Sequence, residues 1–242
     1  MAALLIMETI KIDSLQKFIE EVECIDLLGY DIVIYRGQEQ NFPLLPSIAR
    51  KNPRFDSTIV EKEMLDEMQR RSPLLMRNTP TNMWDWLVFA QHFGLKTRLL
   101  DWSSNPLIAL WFACDNFDTN NDNCFVYRLA VDKDMIVDTE KNETPYSNSR
   151  TRILRPTLNN ERIIAQSGWF TAHKFSKKAK QFIPLENITD IKKSIIQFEI
   201  LGSIKSQLRD TLSTLGVSNR TIYPDIIGLC NHLNYKYRSS IK

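Results

Sequence analysis

The sequence predicts an α+β fold in a single domain, because segments with strand character alternate with segments of helical periodicity along its 242 residues. Residues 31–38 and 124–131 are rich in β-branched and aromatic side chains, which is typical of buried strands. Residues 57–72 and 105–114 place apolar side chains at helical spacing. The length suits one domain with a sizeable core. We therefore expect an N-terminal helical segment over 1–29 and one domain over 30–242.

The full set of elements follows from periodicity and capping residues. Asp13 and Thr81 are predicted helix caps, Asn105 with the following proline begins another helix, and Gly94 and Gly216 end helices. In chain order, the sequence predicts a helix over 14–22, a strand over 30–35, helices over 57–72 and 84–92, an extended segment over 97–101, a helix over 105–114, strands over 124–131, 162–165 and 195–200, a helix over 201–215, and a last short helix with Pro224 in its first turn. Residues 115–123 read as a polar loop and 139–151 as an irregular stretch.

Composition excludes several classes of protein. The formal net charge of +2 is too small to predict nucleic-acid binding from charge alone. No apolar run approaches the roughly 18 residues of a membrane span, and the first residues do not resemble a signal peptide. We therefore expect a cytoplasmic protein without a membrane partner. The four cysteines lack CxxC spacing, so we expect reduced, mostly buried thiols and no metal site.

Two polar signals interrupt apolar segments. A strand-like run ends in Tyr35, Arg36 and a glycine, which places a guanidinium at a strand end. Residues 91–113 mix a polar cluster, with His92 near its start, into a run that a plain core segment would keep apolar. Polar groups in a buried element cost free energy unless each finds a partner, so their density indicates a site.

The order of these motifs resembles the bacterial FRG domain family. The residues that carry the resemblance are Tyr-Arg-Gly-Gln at 35–38, Gln-His-Phe-Gly-Leu-x-Thr-Arg-Leu-Leu-Asp-Trp-Ser from position 91, Asn-Pro-Leu-x-Ala-Leu-x-Phe-Ala from 105, Gln-x-Gly-x-Phe-Thr from 166, and Tyr-Pro-Asp at 223–225. The resemblance runs from Tyr35 to about Leu233. It implies that the predicted domain over 30–242 is an FRG domain.

A more distant resemblance is to the ADP-ribosyltransferases that use an arginine, a serine and a glutamate. It implies a central, mostly antiparallel split sheet flanked by helices, with NAD as substrate and no metal. Tyr35-Arg36-Gly37 looks like their first motif, and Asp101-Trp102-Ser103-Ser104 followed by an Ala-containing helix looks like the second. The third motif departs from the pattern, since Gln166 stands where a glutamate is expected and Glu161 lies upstream. A neutral amide cannot supply the negative charge that stabilises an oxocarbenium-like transition state.

This resemblance assigns the candidate site residues. The predicted catalytic residues are Arg36, Ser103, Glu161 and Gln166. The predicted NAD-binding residues are Tyr35, Arg36, Gln38, His92, Arg98, Asp101 and Trp102. Each also has a structural interpretation: Arg36 can pair with Asp101 or Glu161, Arg98 can pair with Asp101, and Ser103 can cap the helix that follows.

Three functions remain open at this stage. The leading hypothesis is an ADP-ribosyltransferase-like effector, a toxin or anti-phage defence component, which modifies RNA, DNA or protein and has an antitoxin or regulatory partner. The second is a non-catalytic nucleotide-binding module, for which Gln166 is the argument. The third is a nucleic-acid-binding or nuclease domain that uses His92, Asp101, Glu161 and the lysines at 174, 177, 178 and 180.

Overall fold

Strands and helices alternate along the chain in the computed structural model, which describes residues 7–24, 30–76, 79–115, 122–141 and 144–240. The strands are β1 (Glu8–Ile12), β2 (Ile32–Gln38), β3 (Leu99–Ser103), β4 (Cys124–Val131), β5 (Arg152–Leu154), β6 (Gly168–Ala172), β7 (Phe175–Ser176), β8 (Gln181–Phe182) and β9 (Ile195–Ile200). The helices are α1 (Leu15–Glu23), α2 (Thr58–Arg71), α3 (Met83–His92), α4 (Pro106–Ala113), α5 (Glu161–Ala165), α6 (Thr189–Lys192), α7 (Lys205–Thr214), α8 (Asn219–Ile222) and α9 (Ile226–Lys236).

Seven of these strands form one open sheet in the order β1-β9-β4-β2-β3-β6-β5. Its neighbours are antiparallel except for β1 and β9, which run parallel. The expected α+β class with a mostly antiparallel sheet is confirmed. The expected split of the sheet is wrong, because β2 and β3 are paired within one continuous sheet. Their joint is narrow: they share the single pair Tyr35 with Ser103, whereas β2 pairs with β4 from Ile32 to Gln38.

Buried clusters lie on both faces of the sheet. Successive residues of a strand point to opposite faces, so neighbouring residues of β2 belong to different clusters. On one face, α4 packs over β2 in a cluster that includes Tyr35 and Trp111, both almost fully buried. Ile34, the neighbour of Tyr35, belongs to a second cluster on the other face. In the cluster with Trp111, α4 is apolar on all sides, which explains why its sequence shows no polar stripe.

Gly37 sets the distance between β2 and α4. A Cβ atom at this position would lie 1.9 Å from the carbonyl oxygen of Ala109 and 2.6 Å from the amide nitrogen of Ala113. Any side chain would therefore push α4 away from the sheet. This close approach places the end of β2 directly beneath the helix that follows β3.

The predicted strand over 162–165 is wrong. These residues belong to α5, whose N-cap Asn160 accepts a hydrogen bond from the backbone of Arg162, and the strand begins later, at Gly168. The local reason is the cap, since the sequence Ile-Ile-Ala fits either element. Ile163 is buried and Ile164 is 56% exposed.

Several boundaries also differ from the predictions. Ser14 and Asn82, not Asp13 and Thr81, cap α1 and α3. The strand predicted over 30–35 is β2, which extends to Gln38, and the extended segment predicted over 97–101 is β3, which ends at Ser103. The helix predicted over 201–215 begins at Lys205, after a 3-10 turn. Pro224 precedes the N-cap Asp225 of α9 and lies outside that helix.

Other predictions are confirmed or fall partly outside the described residues. The strands β4 and β9, the helix α2, and the cap and proline of α4 agree with the sequence interpretation. Cys114 and Cys124 are buried, but Cys24 and Cys230 are exposed, so the prediction of mostly buried thiols is wrong for two of the four. Parts of the predicted loops, 116–121 and 142–143, lie outside the described residues, as do 1–6 and 25–29 of the N-terminal segment. Within the part of the chain that the structure describes, no helix is long and apolar enough to cross a membrane.

Candidate functional site

A cavity of about 810 Å³ opens at the joint between β2 and β3. The ends of these two strands, one side of α4 and the segment from Glu39 to Arg50 form its walls, and Gln166 and Tyr223 complete them. A second pocket of about 150 Å³ adjoins it. The two share Asp101, Trp102 and Gln166, so β3 separates a large chamber from a small one.

Arg36 is the buried cation of the cavity. Its Nη1 donates to the backbone oxygen of Asp101 at 2.7 Å, and its Nε donates to Oε1 of Gln38 at 3.3 Å. The nearest carboxylate oxygen, Oδ2 of Asp101, is 4.0 Å away, and the Arg36 side chain is 14% exposed. Burial lowers the pKa of Arg36 to about 10, although Asp101 opposes the shift, and Arg50 lowers it further. Arg36 therefore stays charged at neutral pH with incomplete compensation, which favours binding of an anion.

Tyr35 and Gln38, the neighbours of Arg36, also line the cavity. Tyr35 is 3% exposed, and burial raises its pKa to about 12, so the phenol stays neutral. Gln38 donates from Nε2 to the backbone oxygen of Phe42 at 2.9 Å. It thereby holds both Arg36 and the first residues of the segment that forms the outer wall.

Asp101 is the carboxylate at the boundary of the two pockets. Its side chain is 60% exposed, and its Oδ1 accepts a hydrogen bond from Nε2 of Gln91 at 2.8 Å. Gln91 is itself bonded to the hydroxyl of Thr97. These contacts orient the carboxylate while leaving it open to a ligand.

Ser103 and Gln166 meet at the floor of the cavity. The Ser103 hydroxyl donates to the backbone oxygen of Gln166 at 2.7 Å and accepts from the backbone nitrogen of Asn105 at 3.0 Å. Gln166 donates from Nε2 to the backbone oxygen of Ile222 at 3.4 Å. Ser167, which follows, has a φ of 48° in the left-handed region. Ser103 thus holds the tight turn that leads into β6.

Trp102 lies between the two pockets and is 4% exposed. Its Nε1 donates to the hydroxyl of Thr171 at 3.1 Å, and that hydroxyl is 3.0 Å from Nε2 of His173. His173 is 2% exposed, and its Nδ1 has no hydrogen-bond partner among the described residues. Burial lowers the pKa of His173 to about 3, and Arg36 and Arg98 lower it further, so this ring is neutral. Thr171 ends the Gln-x-Gly-x-Phe-Thr motif but had no predicted role, and His173 lies outside every motif of the sequence.

His92 lines the smaller pocket with Arg162 and does not line the main cavity. Burial lowers the pKa of His92, and the positive charge of Arg162 adds to the effect. The candidate residues therefore form two adjacent groups: Arg36 and Ser103 in the main cavity, and His92 in the smaller pocket. Asp101 connects them.

Arg98 and Glu161 do not belong to this arrangement. Arg98 is 3% exposed and forms a buried ion pair with Glu61, from Nε to Oε2 at 2.7 Å, so its expected pairing with Asp101 is wrong. Its role is structural, because it connects α2 to the start of β3. Glu161 is exposed in the first turn of α5 and lines neither pocket. Of the two alternatives for the partner of Arg36, the structure shows Asp101.

Several cavity residues escaped the sequence analysis. Arg50 and Phe42 come from a proline-containing segment over which the sequence predicts neither a helix nor a strand, and Tyr223 precedes α9. The available signal for Arg50 was its place directly after a segment whose apolar residues Leu44, Leu45 and Ala49 are buried. For Tyr223 the signal was its place in the Tyr-Pro-Asp motif.

Comparison with known proteins identifies the part of the chain that forms most of this site. Residues 31–122 match the family model of the FRG domain. Over this span, which is less than half of the chain, the sequence is similar to the FRG domain. The matched span includes Arg36, Asp101 and Ser103, and it ends before Gln166 and Tyr223. No curated protein and no solved structure matches the chain significantly. Among the described residues, no group of three or more His, Cys, Asp or Glu side chains is arranged to hold a metal ion.

Proposed function

We propose that the cavity binds the ADP-ribose part of NAD and that the protein is an ADP-ribosyltransferase-like effector. The observation that carries this proposal is the buried guanidinium of Arg36 at the cavity wall, whose partners are a backbone oxygen, the neutral Oε1 of Gln38 and a carboxylate oxygen 4.0 Å away. A planar guanidinium binds two phosphate oxygens at once, which suits the pyrophosphate of NAD. The volume of about 810 Å³ lies in the range of pockets that enclose a nucleotide-sized ligand.

The aromatic side chains around Arg36 supply the apolar surface for the rings of NAD. Trp102, Phe112 and Tyr223 line the cavity, and Trp102 also reaches the smaller pocket. In this proposal the pyrophosphate contacts Arg36 and one ring system packs against the indole. The second ring system lies towards Tyr223.

For transfer, the negative charge beside the ribose comes from Asp101. Gln166 is neutral, and Glu161 lies outside the cavity. The carboxylates that line the main cavity are Glu39 and Asp101, and of these two only Asp101 also lines the smaller pocket. The bond between C1′ and the nicotinamide nitrogen breaks, and nicotinamide leaves with the electron pair. The carboxylate stabilises the positive charge on the ribose, and the acceptor bonds to C1′ as it loses its proton to solvent or to Asp101.

Calorimetric titration with NAD and with ADP-ribose tests binding. We expect Arg36→Lys to weaken both by about 1–3 kcal/mol, because a point charge replaces the planar donor pair. Arg150→Lys, at an exposed ion pair with Asp134 outside both pockets, is the matched control. Binding that is equal in parent and Arg36→Lys would refute the assignment of Arg36.

Release of nicotinamide tests catalysis separately. We expect Asp101→Asn to keep NAD binding within a few-fold and to remove nicotinamide release. A parent protein that binds NAD and releases no nicotinamide with any acceptor would instead support a non-catalytic nucleotide-binding module. The observation that favours this second candidate is Gln166, whose side chain is hydrogen-bonded to Ile222.

The cellular part of the proposal is an effector that acts in the cytoplasm as a toxin or anti-phage defence component, with an antitoxin or regulatory partner. Expression in a bacterial host tests it, since a toxic transferase arrests growth. We expect Arg36→Ala to relieve the arrest at equal protein level. Arrest that persists in this variant would show that toxicity does not need the cavity.

A further inference from the structure

A basic surface lies beside the mouth of the cavity. We define it by six exposed side chains from two separate segments of the chain: Arg50, Lys51, Arg54, Lys177, Lys178 and Lys180. Within the described part of the chain, none of the six forms an ion pair. Lys174, which precedes the second group, is excluded because it is only partly exposed. Arg50 is exposed, and its Nε donates to the backbone oxygen of Leu45 at 3.1 Å. The formal net charge of the whole chain is only +2, so this local concentration is not a general property of the surface.

Packing of the β7–β8 hairpin joins the two segments. The backbone nitrogen of Phe182 donates to the backbone oxygen of Pro53 at 2.8 Å, one residue before Arg54. Phe182 is fully buried with Leu45 and Ala49, so the hairpin is fixed on the segment that carries Arg50. Lys180 lies two residues before Phe182, a separation of about 7 Å along a strand. The hairpin tip therefore adds its lysines to the cations of the first segment.

Exposed aromatic rings accompany these cations. Phe55 follows Arg54 directly and is 54% exposed. Phe42 is 55% exposed and lines the cavity together with Arg50. Cations that alternate with exposed rings are the surface chemistry of proteins that bind single strands, because the cations contact phosphates while unpaired bases stack on the rings. A duplex offers no unpaired base faces along its length, and an acidic peptide has no bases to stack.

We propose that the basic surface binds single-stranded nucleic acid and holds it at the mouth of the cavity. This inference rests on the proposed function for its second part, since it makes the bound strand the acceptor of ADP-ribose. Arg50 is the connection, because it belongs to the basic surface and also lines the cavity. In this proposal the bound strand contacts the lysines of the hairpin, Phe55 and Phe42, and Phe42 lines the cavity.

Fluorescence anisotropy of labelled 20-nucleotide strands tests the proposal, with oligo(U), oligo(dT) and a duplex of equal length as separate probes. We expect the single strands to bind at least about ten-fold more tightly than the duplex, and the oligo(U) and oligo(dT) arms to show which sugar is preferred. The variant Lys177→Gln/Lys178→Gln is compared with Lys11→Gln/Lys236→Gln, which removes the same charge from exposed positions outside the basic surface. Only the first is expected to weaken binding and to lower the slope of log K against log salt, by about 1.4 for two lost phosphate contacts on a single strand.

Phe55→Ala tests the contribution of stacking to single-strand affinity, because it removes a ring without changing the charge of the surface. Loss of one stacking contact is expected to weaken single-strand binding by about five-fold or more while leaving the salt slope unchanged. Equal losses in the two lysine variants, or an unchanged affinity for Phe55→Ala, would overturn the proposal. Competition by polyglutamate as effective as that by oligo(dT) would also overturn it, in favour of an acidic protein partner.

The design separates this proposal from the proposed function. Lys177, Lys178 and Phe55 do not line the cavity, so their variants are expected to bind NAD like the parent. Arg36→Ala is expected to lose NAD and to keep single-strand affinity within about two-fold. Binding of the single strand without binding of NAD would refute the proposed transferase and support the role of the basic surface. Binding of NAD without binding of the single strand would refute only the proposal that the basic surface binds nucleic acid.

Discussion

The buried ring of His173 predicts a loss of stability in mild acid. The unfolded chain binds a proton on this histidine with a pKa near 6.5, whereas burial and the charges of Arg36 and Arg98 lower its pKa to about 3 in the folded protein. Between these values the unfolded state binds more protons than the folded state. Stability therefore rises with pH in this window and falls as the pH decreases below about 6.5. The contribution is about 3 kcal/mol by pH 4.5, at 1.36 kcal/mol per pH unit.

Urea unfolding at pH 7.5, 6.5, 5.5 and 4.5 measures this contribution when the parent is compared with His173→Gln. Glutamine keeps an amide that can bond the hydroxyl of Thr171 and removes the titrating group. The parent is expected to lose about 3 kcal/mol more than the variant between pH 7.5 and 4.5. Other carboxylates and histidines titrate equally in both proteins, so their effects cancel in the difference. Parallel curves for the two proteins would refute the placement of a neutral, desolvated ring at position 173.

Three further substitutions test the packing that positions the site. Gly37→Ala is expected to lower the free energy of unfolding by about 1–3 kcal/mol and to weaken NAD binding, because its Cβ would overlap the carbonyl oxygen of Ala109 and move α4; unchanged melting and binding would contradict the close approach. Trp111→Ala is expected to cost about 3–5 kcal/mol in urea unfolding, since the ring is 1% exposed, and melting like the parent would show that the indole is not in the core. Glu61→Gln is expected to lower the free energy of unfolding by about 3–5 kcal/mol, because it leaves the charge of Arg98 buried without its partner. Apolar replacement of both residues should recover part of this loss. Unchanged stability of Glu61→Gln would contradict a buried ion pair.

Elements with strong local patterns could be predicted from the sequence, and elements that depend on distant pairing could not. The strand β4 alternates β-branched and aromatic residues, and α4 begins with Asn105 and a proline, so both were found. The five-residue strand β1 was missed, because its pairing with β9 joins positions nearly 190 residues apart. The three residues of β5 are equally short of local signal, and they are a strand only through β6.

The candidate site shows the same division. Arg36, Asp101 and Ser103 were predicted together because they occupy strand ends in recognisable motifs, and the structure brings them to one cavity. The partner of Arg98 was predicted wrongly, because Asp101 lies nearby in the sequence whereas Glu61 lies 37 positions away on α2. Whether a charged residue serves the site or stabilises the fold depends on its ion-pair partner, and tertiary packing determines that partner.

Position 166 illustrates why the chemistry of the third motif could not be read from residue type alone. The sequence interpretation placed Gln166 after a strand, where a substituted catalytic acid would face the ligand. In the structure it ends α5, its backbone oxygen binds Ser103, and its amide reaches Ile222. Through these contacts Gln166 stabilises the turn at Ser167, which gives a structural explanation for a neutral residue at position 166. The negative charge that the proposed reaction needs must then come from a different strand end, and Asp101 on β3 is the carboxylate that faces both pockets. The question of catalysis therefore turns on Asp101, which the sequence had assigned only to binding.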